Sequence, residues 1–353
     1  MNTTKVRVGL VGAGAIAQTY VQAFAQSAAA ELVGVADVQL PAATALAGQA
    51  GCRAFGSCEQ LIDAMHCEAA VICTPPATHP DICCRLLEGG VHVLCEKPLA
   101  ISVSEARRMA AAAQHSGRVL TMASKFRYVR DVIEAKSIVA SGRIGDVILF
   151  ENAFTSRVDM EGRWNSDPAI SGGGVLIDNG THSVDIMRYF LGPLVELQAV
   201  AGRRVQDLPV EDTARVFVRS AAGVMGTIDL SWSISKESPH YLSIYGSAGT
   251  LHVGWRESTF RGSGDQAWTV FGQGYDKRQA FTAQLDNFAR SLQGQEPCRI
   301  TLEDALASVE VIEAAYQALH GERWVPVIAS LSLSPPVTAG SRAKQPERRR
   351  ALV

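Results

Sequence analysis

The sequence has no apolar run approaching the ~18 residues of a membrane-spanning helix, and it carries no internal repeat. Its N-terminus lacks a basic region followed by an apolar stretch and a small-residue cleavage site, and enters the run Val6-Arg7-Val8-Gly9-Leu10-Val11 almost at once. Charge is nearly balanced: the formal net charge of -2 gives no electrostatic reason to expect nucleic acid or an anionic membrane as partner. No Cys-x-x-Cys pair and no Cys/His cluster with zinc-ligand spacing occurs among the eight cysteines. Several of these sit inside apolar runs, such as Val71-Ile72-Cys73 and Val93-Leu94-Cys95, and read as small buried hydrophobes in a reducing cytoplasm. These absences leave a cytoplasmic protein whose expected partner is a small, uncharged molecule.

What is present is globular usage, 47% hydrophobic and 19% charged, over 353 residues. At roughly 150 residues per domain that length implies two domains. From residue 5 to about 123, short apolar runs at 6–11, 32–36, 69–73, 92–95 and 119–122 alternate with helical patterns. This alternation predicts βαβ units stacked into one doubly wound parallel sheet, with ligands outside the strand carboxyl ends. Ser102-Val103-Ser104-Glu105 reads as a capping box opening a helix. After residue 123 a helix at 129–140 gives way to alternating segments such as 147–154, 214–219, 224–232 and 241–245, then to helices near 279–292 and 302–319. Alternation of this kind predicts an open, largely antiparallel sheet with one covered face. The expected division is 1–123, 124–329 and a basic, proline-bearing tail at 330–353 with too little apolar content to fold.

Gly12-Ala13-Gly14-Ala15-Ile16-Ala17 follows the first strand and opens a helix, the context that a dinucleotide fingerprint requires. Gly12 permits the tight turn, Gly14 lets backbone amides approach a pyrophosphate, and Ala17 takes the small-residue place where helix and strand meet. Asp37 ends the next strand, where its carboxylate can bind the ribose hydroxyls and repel a 2′-phosphate. With no arginine in Val38-Gln39-Leu40, NAD is favoured over NADP. Thr74-Pro75-Pro76 forms a stiff loop at the same sheet edge, suited to flanking a nicotinamide, and His79 beyond it reads as a packing or capping residue. Glu96-Lys97-Pro98 places a charged pair where a buried strand ends.

Taken in register with Gly172-Gly173-Gly174-Val175-Leu176-Ile177-Asp178-Asn179-Gly180-Thr181-His182, these segments resemble the glucose-fructose oxidoreductase/inositol dehydrogenase/MocA family over residues 5 to about 328. The resemblance implies a Rossmann domain followed by an α/β domain whose open sheet forms the substrate wall and often an oligomer interface, as a homodimer or homotetramer. It implies oxidation or reduction of a hydroxyl on a sugar, cyclitol or related polyol. By position, Lys97 would hydrogen-bond the reacting hydroxyl, Asp178 would contact substrate and help place the imidazole, and His182 would be the acid/base. Glu96 would lie beside the nicotinamide half of the cofactor, and the Lys97-Pro98 peptide would be cis.

The residues agree chemically. Removing hydride from a carbinol carbon requires a base of near-neutral pKa for the hydroxyl proton, and imidazole suits that best. A nearby ammonium stabilises the developing alkoxide. Asp178 and His182, four apart, share a face if a helix begins by residue 178, and the triple glycine before them permits close backbone approach to a ligand. Weaker pocket candidates are Arg127, where family members often carry an arginine facing the cleft; Trp164, which offers a ring face to a sugar or packs on the domain; and Asn179 and Thr181, which tune specificity or cap the helix. Asp185 lacks a third metal-ligating neighbour, so no metal is expected. Two other functions use the same scaffold: an NAD-dependent glycoside hydrolase working by transient oxidation and elimination, and a non-catalytic dinucleotide or sugar sensor.

Overall fold

The computed structural model describes residues 4–321 and 323–327; the 330–353 tail lies outside them. The first half runs β1 (Val6–Val11), α1 (Ala15–Gln26), β2 (Ala30–Ala36), α2 (Leu40–Ala50), β3 (Arg53–Phe55), α3 (Cys58–Met65), β4 (Ala69–Ile72), α4 (His79–Glu88), β5 (His92–Glu96), α5 (Val103–Ser116) and β6 (Leu120–Ala123). The strands pair in parallel in the order β3-β2-β1-β4-β5-β6. Alternate side chains serve opposite layers: Ala69, Val71 and Leu94 pack with α1 and α2, while Ala70, Ile72, Val93 and Cys95 pack with α3, α4 and α5. Burial on both faces is why these strands read as continuous apolar runs. The order reverses between β1 and β4, which opens a crevice at their carboxyl ends.

The three-residue β3 went unread in the sequence because it is an edge strand in which only Phe55 is buried. All eight cysteines are free thiols, and Cys58, Cys67, Cys73, Cys83 and Cys95 are buried. At the start of α5 the Ser102 hydroxyl accepts the Glu105 amide at 3.3 Å, the expected half of the capping box.

The second half comprises α6 (Arg130–Ala140), β7 (Val147–Thr155), α7 (Pro168–Ser171), α8 (Val175–Leu191), β8 (Leu194–Ala201), β9 (Thr213–Ser220), β10 (Met225–Ser231), β11 (His240–Gly246), β12 (Gly249–Gly254), β13 (Ser258–Gly262), β14 (Thr269–Gly272), α9 (Lys277–Leu292), α10 (Leu302–Gly321) and β15 (Val325–Pro326). Its sheet order is β14-β13-β12-β11-β7-β10-β9-β8-β15, antiparallel except where β7 meets β10. Strand β9 alternates between buried Ala214, Val216 and Val218 and outward-facing neighbours. The covered face packs on α8 and the second half of α10. The late helices tie the halves together: α9 sends Phe281, Leu285 and Phe288 into the first core, and α10 contributes Leu306 and Val309 to it before Val311 and Ala315 enter the second.

Candidate active site

The glycine turn has the shape its residues predict. Gly12 adopts φ +98, and a Cβ there would stand 2.8 Å from the backbone of Cys73, so the turn tolerates only glycine. A Cβ on Gly14 would meet nothing within 4 Å, since it faces open space. Gly14 caps α1 without a side-chain partner for the first-turn amides, which leaves an anion-ready helix terminus at the crevice. A cavity of about 850 Å³ runs along this turn and is lined by Gly12, Gly14, Ala15, Ile16, Asp37, Thr74 and Pro75. Pro76 is buried beneath the loop and is not part of that lining. The cradle thus fits a dinucleotide.

Asp37 braces the cradle as well as lining it. Its Oδ2 accepts the Ala13 amide at 2.7 Å and its Oδ1 the Gln39 amide at 2.8 Å, and each oxygen keeps a lone pair for a ribose hydroxyl. His79 is fully buried as a strut: Nδ1 lies 3.0 Å from the Pro98 carbonyl and Nε2 2.8 Å from that of Thr74. It joins the Thr74 loop to the strand-end loop, where the Lys97-Pro98 peptide is cis.

A second cavity, of about 670 Å³, shares Ile16, Thr74, Trp164, Asn165 and Lys277 with the first, so the two are continuous. Glu96, Lys97, Asp178, Asn179 and His182 line it. Lys97 Nζ pairs with Asp178 Oδ1 and donates to the Asp178 carbonyl at 3.0 Å, joining the end of β5 to the first turn of α8. Glu96 is buried: Oε1 accepts from the Tyr20 hydroxyl at 2.8 Å and Oε2 from the Lys97 amide at 3.2 Å. Burial raises its pKa, against the hydrogen bond from Tyr20 and the charges of Lys97 and Lys125.

His182 is not placed by Asp178, whose carboxylate is taken by Lys97. Rings hold the imidazole instead: Phe126 lies edge-on at 5.1 Å and Phe154 at 6.5 Å between centroids. Its Nδ1 is buried without a hydrogen-bond partner. Burial first, then the charges of Lys97 and Lys125, push its pKa well below 6.5. The ring is therefore neutral at pH 7 and can accept a proton.

Beyond Pro76 and the Asp178–His182 contact, three further sequence expectations change. Arg127 does not face the cleft; its guanidinium is buried between Asp185 at 2.7 Å and Asp304 at 3.0 Å, a three-helix clamp around the domain junction. The triple glycine approaches protein and not ligand: a Cβ on Gly173 would stand 1.9 Å from the Tyr316 hydroxyl, and one on Gly174 2.1 Å from the Glu211 carbonyl. Glu211 needs that closeness, because its Oε1 accepts the Gly174 and Leu176 amides at 3.1 and 3.0 Å and so caps α8. Thr181 turns back onto the Ile177 carbonyl at 2.6 Å and does not line the inner cavity, whereas Asn179 does.

Lys125, Trp255, Tyr275 and Lys277 also line the inner cavity and were not anticipated. Lys125 lies two residues before the arginine that was favoured; Trp255 and Tyr275 come from loops without a local signal, and Lys277 opens α9.

The N-terminal family model matched is the GFO/IDH/MocA "Oxidoreductase family, NAD-binding Rossmann fold", over residues 6–124. The GFO/IDH/MocA C-terminal domain follows over 132–252. The chain is similar to the rhizopine catabolism protein MocA of Rhizobium meliloti, 28% identical over 90% of this chain and 96% of that protein. It is also similar to inositol 2-dehydrogenase of Rhizobium meliloti strain 1021, 25% identical over 91% of this chain and 99% of that one. A levoglucosan dehydrogenase solved with NADH and levoglucosan shares the fold, with a TM-score of 0.87 at 21% identity, over 93% of this chain and 100% of that one. With a dinucleotide cradle in the first half, a second domain of the matching type behind it, and both family models in register, the chain belongs to the GFO/IDH/MocA family of NAD-binding oxidoreductases.

Proposed function

We propose that the protein transfers hydride between nicotinamide and a secondary alcohol or ketone of a sugar, cyclitol or sugar derivative, with residues 1–123 holding dinucleotide and 124–329 holding substrate. The observation that carries this reading is the convergence of Lys97, Asp178 and His182, from both halves, on a cavity continuous with the glycine-turn cavity. Relatives that act on inositol support a polyol substrate. The Gly12-Gly14 turn and the Thr74-Pro75 loop would hold the dinucleotide, and Asp37 favours NAD over NADP.

His182 takes the proton of the reacting hydroxyl, for which its depressed pKa leaves it unprotonated. Lys97 donates to the same oxygen and stabilises its negative charge as the proton departs. Asp178 fixes the ammonium that does so. When bound, oxidised nicotinamide supplies the acceptor for the carbinol hydride, which leaves a ketone. In the reverse direction the imidazolium returns the proton. Trp164 and Asn179 border the space where the rest of the polyol would lie.

The test is NADH formation at alkaline pH across inositols, hexoses, amino sugars and sugar phosphates, with Lys97→Ala and His182→Ala beside the wild type. Turnover by the wild type with loss in both variants is expected. Full activity in both variants would remove the role assignment, and no turnover in either direction on any compound would remove the enzyme reading.

A further inference from the structure

Among the described residues, the inner cavity is lined by four cations, Lys97, Lys125, Arg163 and Lys277, against two carboxylates, Glu96 and Asp178. Both carboxylates are committed: Asp178 to Lys97, and Glu96 to Tyr20 and a backbone amide. Lys125, Arg163 and Lys277 have no ion-pair partner among the described residues. Lys125 is the deepest of these. Its ammonium lies 5.3 Å from the Phe126 ring centroid and 5.8 Å from that of Phe281, and Lys277 stands 5.8 Å from the same Phe281 ring. Two ammonium groups thus converge on one phenyl ring.

A pyrophosphate in the glycine-turn cavity does not account for Lys125. Lys277 lines both cavities and can serve that purpose; Lys125 lines only the inner one. Glu96 and Asp178 act on the Lys125 charge through space, but both are committed elsewhere, so a partly buried cation is left without a direct ion-pair partner. Ring faces offset part of the desolvation cost, and the ammonium lines the inner cavity, where a ligand can reach it.

We infer that the substrate carries an anionic group, a carboxylate or a phosphate, and that Lys125 is the residue that binds it. The inference rests on the oxidoreductase reading above and names the substrate class of that same site. The anion supplies the direct contact that Glu96 and Asp178, bonded elsewhere, do not. It sits on the Phe126–Phe281 side of the cavity, so the reacting hydroxyl is left to Lys97 and His182. Consistent with a cation short of partners, burial first and then the Lys97 charge bring the Lys125 pKa down to about 8.

The test compares matched compounds, D-glucuronate and a glucose phosphate monoester against D-glucose. It is read twice: by kcat/KM with NAD, and by tryptophan fluorescence on binding to the NADH-loaded protein, since Trp164 and Trp255 line the cavity. The wild type is expected to favour at least one anionic member by about tenfold or more. That ratio collapses in Lys125→Met and returns in Lys125→Arg. Which member wins separates carboxylate from phosphate. Neutral sugar oxidised and bound as well as its anionic partners would overturn the inference and leave the oxidoreductase reading intact. An anion preference undiminished in Lys125→Met would overturn the assignment to Lys125, and neither binding nor oxidation of any member would overturn both. The wild-type comparison does not depend on whether a variant folds.

Discussion

His182 lies against hydrocarbon, and this sets its chemistry. A carboxylate beside an imidazole raises its proton affinity; burial between Phe126 and Phe154 with two ammonium groups nearby lowers it. As the proposed base, His182 must be unprotonated, so the acid limb of alcohol oxidation should lie below pH 6.5. Removing one of the two cations must raise the imidazole pKa, so Lys125→Met should move that limb to higher pH. A pH profile of kcat/KM checks both, and a limb that stays in place in the variant would contradict the electrostatic account. His182→Asn should lower kcat by ~10²- to 10⁴-fold with the circular dichroism spectrum unchanged. At the cofactor, Asp37→Ser should narrow the NAD over NADP preference in kcat/KM. It should also loosen the glycine turn, because the Ala13 amide loses its acceptor. Most of these residues were legible in the sequence because each sits in a short motif at a strand end or helix start. Lys125 was not, because an arginine two residues on carried the stronger expectation and only tertiary packing decides which of the two faces the cleft.

At the scale of elements, α8 is the platform of the site, and its position is set from both ends. Glu211 caps its first turn through backbone that only glycine permits, and Asp185 farther along it is clamped by Arg127, which also grips Asp304 of the late helix. Gly174→Ala would drive a methyl group into the Glu211 carbonyl and should cost about 3 kcal/mol or more of stability, seen as a lower denaturation midpoint. Arg127→Ala strands a fully buried Asp185 and should cost about 3–5 kcal/mol, while KM for the substrate changes little. A large KM effect without loss of stability would restore Arg127 to the cleft. The motif at residues 172–182 was visible as a string, but its purpose was misread: the glycines admit Glu211 and Tyr316, partners 37 or more positions away that no local pattern reveals. The Rossmann strands were readable because burial on both faces makes them uniformly apolar; β3, with one buried side chain, was not.

For the whole molecule, the nine-stranded sheet has one covered face and one that leaves Val200 and Met225 each more than half exposed. The same face carries the ion pairs Arg215–Asp229 and Arg219–Glu196, so self-association through it is the expectation from the family resemblance; light scattering is expected to give a dimer or tetramer, and a monomer at micromolar concentration would contradict that. Among the described residues no helix is long and apolar enough to cross a membrane. In the proposed reaction, the two halves of one chain bring a hydride acceptor, a base and an alkoxide-stabilising ammonium to one polyol carbon. The most direct measurement uses a substrate deuterated at the carbinol carbon, with the nicotinamide product analysed by mass spectrometry for wild type and His182→Ala. The label is expected to appear in the reduced nicotinamide, and its transfer to slow sharply in the variant. Label released to water, or transferred at an unchanged rate without His182, would contradict the proposed reaction.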